Sequence, residues 1–86
     1  MLGFPNQSRS YQATTDRISF WGHDGASEVA FFLGADALFR LYPRTGRGEA
    51  AILAAFDAAR ERIHEVAGRA YAGSQRRFYV LGADSF

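Results

Sequence analysis

The segment from Glu49 to Ala72 constrains this chain more than any other. Ile52, Phe56, Ala59, Ile63, Val66 or Ala67, and Ala70 recur at steps of three and four. That spacing is one apolar stripe of a helix with a period of 3.6 residues. Fully helical, the segment would be roughly 34 Å long. A stripe of that length must bury against a second apolar surface, and the rest of the chain reads as the surface that receives it.

The chain has 86 residues and reads as one domain, 1–86. A chain of this size buries roughly 60–65% of its unfolded surface, enough for one thin core. Aromatic residues make up 15% of it, and each can bury on the order of 150–250 Å², so few residues can fill that core. With no cysteine, disulfides, thiolate metal sites and cysteine nucleophiles are excluded. Small secreted domains usually need such staples, so a reducing, cytoplasmic setting is expected. No apolar run reaches the roughly 18 residues that a membrane helix needs, and the first ten residues lack the pattern of a signal peptide. The net charge of +1 gives no bulk attraction to nucleic acid. All ten basic side chains are arginine. The alanine-rich composition makes genomic codon bias a better reason for that than phosphate recognition.

Arg17–Trp21 and Glu28–Leu33 read as two strands, rich in β-branched and aromatic residues. Asp24-Gly25 between them is a two-residue hairpin signal of type I′. That turn would place Phe20 opposite Val29 and Ile18 opposite Phe31. Ile18, Phe20, Val29, Phe31 and Leu33 then share the face toward the long helix. Arg17, Ser19, Trp21, Glu28, Ala30 and Phe32 share the other. Tyr11–Thr14 reads as a short strand turned by Thr15-Asp16. Gly34–Tyr42 reads as a short helix with Ala37, Leu38 and Leu41 inward, stopped by Pro43. Gly68 is expected to mark a close approach of the long helix to the sheet, and Gly73 to stop that helix. Gln75–Leu81 reads as a last strand with Phe78 and Val80 inward. The expected fold is α+β: an antiparallel sheet of three or four strands, with a short and a long helix on one face, in the order β(β)βααβ.

Phe4-Pro5-Asn6, Arg9-Ser10-Tyr11, Phe20-Trp21-Gly22 with Asp24-Gly25, Val29–Leu33, Ala37-Leu38, and Phe56 through Arg60 to Ile63 follow one another in an order that resembles a small bacterial family, domain of unknown function 1488. The likeness covers nearly the whole chain. Gly34 departs from the serine or threonine cap expected there. The resemblance implies a compact bacterial domain and carries no activity with it.

His23-Asp24 has the composition of an acid–base pair, but turn geometry already accounts for Asp24. His64 with Glu61 supplies two metal ligands at most, too few for a site. Thr45–Glu49 puts glycines before a helix, but no strand precedes it and no GK[ST] follows, so it reads as a linker. Arg76-Arg77-Phe78-Tyr79 interleaves guanidinium and aromatic groups, as a stacking platform for single-stranded nucleic acid would. With both helices on one side, the outer sheet face is left bare. Its Arg17, Trp21, Phe32, Arg77 and Tyr79 form the candidate interaction face. Either the extended segment 1–10, with Phe4 and Tyr11, covers that face or a second copy does. The expectation is a non-enzymatic module with no cofactor and no metal. It self-associates or binds a protein partner, and single-stranded nucleic acid is the alternative ligand.

Overall fold

The computed structural model describes residues 2–73 and 76–86. The elements are β1 (Leu2–Gly3), β2 (Arg9–Gln12), β3 (Arg17–Asp24), β4 (Ser27–Gly34), α1 (Ala35–Leu41), α2 (Glu49–Ala58), α3 (Arg60–Gly73) and β5 (Phe78–Leu81). A 3₁₀ turn at Ala83–Ser85 follows. The architecture is α+β, with strands first, then helices, then one last strand. The sheet has five strands, in the order β1-β3-β4-β5, and β2 lies against β3 on the same side as β1. No helix among the described residues is long and apolar enough to cross a membrane.

The hairpin of β3 and β4 is the centre of the sheet. Its loop is Gly25-Ala26, closed by Asp24 opposite Ser27. The loop therefore sits one residue later than the Asp-Gly signal suggests. Of the two loop residues only Gly25, the first, has positive φ, at +61°, as in a type II′ turn. The ladder pairs Phe20 with Phe31, Ile18 with Leu33 and Trp21 with Ala30. This is two residues from the expected register. Side chains alternate with a period of two, so a slip of two keeps every residue on its expected face. Ile18, Phe20, Val29, Phe31 and Leu33 are buried.

The helical stripe covers that row. Ile52, Phe56, Ala59, Ile63, Val66 and Ala67 are buried and Ala70 is partly buried against them. Phe56 meets Phe20 edge-on at 5.3 Å, and Phe20 stacks on Phe31 at 5.3 Å. The expected single long helix is instead two. Ala59 has φ −100° and ψ 10°, and its N–H is shared between the Ala55 and Phe56 carbonyls at 3.1 Å each. No glycine or proline signals this break. It lets α2 and α3 each lay their part of the stripe on a sheet whose strands twist.

The last strand departs most from expectation. β5 runs parallel to β4, with Tyr79 beside Phe31 and Leu81 beside Leu33, so the sheet is mixed rather than wholly antiparallel. The crossover through three helices supplies the long connection that a parallel pair needs. Tyr79 and Leu81 are buried, whereas Phe78 and Val80 are 51% and 50% exposed. The inward pair is thus the reverse of the one expected. Arg77 lies in a bend, so it is released from the strand's alternation and Tyr79 can turn inward without taking Arg77 with it. The expected start of this strand at Gln75 lies outside the described residues.

The N-terminal segment lies on the helix side of the sheet, not over its outer face. The Phe4 ring packs against Phe20 at 6.1 Å and Phe31 at 5.8 Å. Arg9 holds Asp57 of α2 through two hydrogen bonds, Nε to Oδ1 at 2.9 Å and Nη2 to Oδ2 at 2.8 Å. Arg60 adds a third to Oδ1 at 2.6 Å. These arginines hold the Asp57 carboxyl below its ordinary range, Arg9 acting most strongly. Gly34 caps α1 without a side chain, and a Cβ there would run into the Asp36 carboxylate. A serine or threonine cap there would require the Asp36 side chain to turn aside.

Two glycines make opposite demands. At Gly22 a Cβ would lie 2.9 Å from both Leu2 Cδ1 and Phe4 Cε1, because the N-terminal strand crosses there. At Gly68 a Cβ would meet nothing within 4 Å, so the expected close approach is absent. Gly73 falls inside α3 rather than beyond its end. Denaturant unfolding should therefore separate two variants. Gly68→Ala is expected to gain about 0.5–1 kcal/mol from helix propensity. Gly22→Val is expected to lose about 1–3 kcal/mol by overpacking.

Candidate interaction face

Alternation along the strands places Arg17, Ser19, Trp21 and His23 of β3 on the face away from the helices. Opposite them on β4 stand Phe32 beside Ser19, Ala30 beside Trp21 and Glu28 beside His23. β5 adds Phe78 next to Ala30 and Val80 next to Phe32. Ser10 and Gln12 continue the face onto β2. Large and small residues alternate across the strands, so Trp21 and Phe32 are diagonal neighbours. Such neighbours stand about 7–8 Å apart. They do not occupy opposite ends of the hairpin, as the expected register had them.

Trp21 and Phe32 are half-buried, and Phe78 and Val80 are exposed. Phe32 and Phe78 meet edge to face at 5.8 Å, and the Arg17 guanidinium stands 5.9 Å from the Phe32 ring centroid. Ser19 is 4% exposed although it is on this face. It sits between larger neighbours, and its Oγ donates to the Ser10 carbonyl at 3.4 Å. The result is an apolar patch of Trp21, Ala30, Phe32, Phe78 and Val80, bordered by Ser10, Gln12, Arg17, His23 and Glu28.

Of the five residues named from sequence, Arg17, Trp21 and Phe32 lie on this face, and Arg77 is exposed at its border. Tyr79 does not belong to it. Its ring packs inward on Phe31 at 5.3 Å and Tyr71 at 5.9 Å, and its hydroxyl accepts the Arg76 N–H at 3.1 Å. Phe78 takes its place. Four consecutive apolar residues hide which parity points outward, so sequence reasoning missed Phe78. The bend at Arg77 was the missing information.

The remaining polar candidates are scattered. His23 and Asp24 point to opposite faces. Asp24 accepts the Tyr71 hydroxyl at 2.6 Å, which raises the Tyr71 pKa above its ordinary value. Arg47, before α2, lies 4.8 Å from the Phe39 ring centroid, and the Thr45 hydroxyl donates to the Tyr42 carbonyl at 2.7 Å. Among the described residues no three of His, Cys, Asp or Glu converge as metal ligands. Shallow clefts flank α2, one lined by Tyr42, Asp57, Arg60 and Glu61, the other by Leu41, Tyr42 and the α2 alanines. Neither includes His23, Asp24 or His64.

The chain matches the family model described as Protein of unknown function (DUF1488) over residues 2–81, and it belongs to that family. No curated protein and no solved structure matches it.

His64 stacks on Phe4, with ring centroids 3.9 Å apart and planes 8° from parallel. Burial first, and the Arg60 charge second, push its pKa below the ordinary value. The fold therefore disfavours the imidazolium. Stability is undiminished above the unfolded pKa of about 6.5 and falls as pH drops from there through the lowered folded value. The stability difference between the wild type and His64→Gln should therefore shrink between pH 7 and pH 5. A difference that stays constant or grows across that range would contradict it.

Proposed function

We propose that this chain is a non-enzymatic interaction module whose outer sheet face is an interface, first of all with another copy of itself. The observation that carries this reading is the pair Phe78 and Val80, about half exposed and contiguous with Trp21, Ala30 and Phe32. Contiguous exposed apolar surface marks interaction sites. Aromatic anchors inside a polar border are the anatomy of a protein interface. Neither the helices nor the N-terminal segment covers this face. A symmetric pair is the commonest assembly of small soluble proteins. The setting we propose is a bacterial cytoplasm, in keeping with the absence of cysteine.

A second reading has one observation in its favour. Phe78 joins Trp21 and Phe32 on one face, with the Arg17 guanidinium over Phe32, and aromatic rings on a sheet can stack the bases of single strands. Arg17 and the bordering Arg76 and Arg77 are few cations for a phosphate backbone, so this reading ranks second. Binding would then weaken with salt by a slope of about 0.7 per phosphate contacted.

The distinguishing measurement is mass in solution against concentration, with and without oligonucleotide. Trp21→Ser and Phe78→Ser are each expected to weaken self-association by about thirtyfold, the effect of truncating an interface anchor, and to leave the fold intact. A mass unchanged by both substitutions would end the self-association reading. Salt-dependent oligonucleotide binding lost in both variants would replace it with the second.

A further inference from the structure

The outer face carries two patterns, one of size and one of charge. Across β3 and β4 the small residues Ser19 and Ala30 alternate with the large residues Trp21 and Phe32. On β5, Val80 stands next to Phe32 and Phe78 next to Ala30. The charges stand at the two ends of the hairpin. Arg17 begins β3, with its guanidinium 5.9 Å from the Phe32 ring centroid. Glu28 lies at the other end, opposite His23, and is exposed. From Arg17 to His23 the strand advances about 20 Å, at roughly 3.3 Å per residue. Among the described residues neither Arg17 nor Glu28 belongs to an ion pair.

We infer that two copies of this chain pack outer face to outer face about a two-fold axis that runs across the strands, with Arg17 of each copy beside Glu28 of the other. This rests on the interface proposed above, and it adds the orientation of the second copy and an ion pair between copies.

Two packed sheets keep their strands roughly aligned, about 10 Å apart. A symmetric pair can then have its axis across the strands or along them. Either axis sets large side chains on small ones, so the face is complementary to itself, as a two-fold interface requires. The axis across the strands sets Trp21 on Ser19 of the second copy and Phe32 on Ala30. The axis along them sets Trp21 on Ala30 and Phe32 on Ser19. The remaining residues choose between the two. With the axis across the strands β5 lies on β5, and Phe78 meets Val80 of the second copy, apolar on apolar. With the axis along the strands β5 lies over β2, and Val80 faces the polar Ser10.

Charge makes the same choice. The axis along the strands gathers both Arg17 side chains at one end and both Glu28 side chains at the other. The axis across them reverses the strands, so Arg17 of each copy comes to the Glu28 end of its neighbour. There the two stand one strand apart, about 4.8 Å, within reach of an arginine side chain. Arg77 borders the same end, but it lies in a bend and makes no ion pair with Glu28 among the described residues.

Mass against concentration in charge-exchanged variants tests this orientation. Arg17→Glu and Glu28→Arg are each expected to weaken the dimer on the order of tenfold, because symmetry counts each surface pair twice. The two substitutions together exchange the charges and are expected to restore association to within about threefold of the wild type. The axis along the strands predicts otherwise, since each single substitution would leave like charges beside like. A second probe changes the face less. The chain has no lysine, so Arg17→Lys supplies its only side-chain amine. A carbodiimide condenses an amine and a carboxylate into an amide with loss of water. It is expected to give a covalent dimer of this variant, joined from the introduced amine to Glu28. Within one copy the separation of about 20 Å prevents that bond.

A doubly substituted chain that associates no better than either single variant overturns the inference. So does a cross-linked dimer whose peptides show no bond from position 17 to Glu28. The orientation and the face fail separately. A mass insensitive to Trp21→Ser and Phe78→Ser removes the face and the orientation with it. Association that those two weaken, but that charge exchange fails to repair, keeps the face and removes the orientation.

Discussion

The contact on which the rest of this molecule depends is the meeting of one hairpin face with one helical stripe. Phe20 and Phe31 stack across the hairpin and Phe56 closes on Phe20 from α2. All three are at most 2% exposed. Fully burying such a side chain is worth about 1.5–3 kcal/mol, and a favourable aromatic pair adds about 0.5–1.5 kcal/mol. Single domains are stable by only about 5–15 kcal/mol in total, so this cluster alone is comparable with the whole margin. Because both helical segments bury their stripe on the same face, no helix among the described residues packs on the opposite one. The exposed patch is a direct consequence of how the core is filled.

The N-terminal segment shows how magnitudes rank its contacts. The Arg9–Asp57–Arg60 cluster is well formed, but its side chains are partly exposed, 31% for Arg9 and 43% for Asp57. Surface ion pairs contribute only about 0–1 kcal/mol. The ring of Phe4, seated on Phe20, Phe31 and His64, does more to hold this segment, and Gly22 is the opening that admits it. The arginine pair then sets where β2 lies on α2. The segment is thereby committed to the helix side, and the outer face is not its to cover.

The stripe from Ile52 to Ala70 was legible from spacing alone, as were the two faces of the hairpin. Both rest on periodicity, which tolerates local error. The turn lies one residue away from where Asp-Gly suggested, yet the slip was even, so Ile18, Phe20, Phe31 and Leu33 stayed on their face. Parity could not be read in Phe78–Leu81, where all four residues are apolar. Tertiary pairing with β4 decided it, and the bend at Arg77 separated that arginine from the strand. The break at Ala59 was hidden for a related reason. Alanine there is a strong helix former, and only the shape of the sheet asks for the bend. The candidate face consequently kept Arg17, Trp21 and Phe32 and exchanged Tyr79 for Phe78.

Trp21 is the chain's only tryptophan and it lies on the face assigned here to contact between copies, so its emission reports that contact directly. Following emission and mass together while the protein is diluted from high micromolar to nanomolar concentration tests the central claim. The account predicts blue emission at high concentration that shifts to the red as the mass falls to that of one chain. Emission that stays constant at every concentration, with the mass of a single chain throughout, would contradict it.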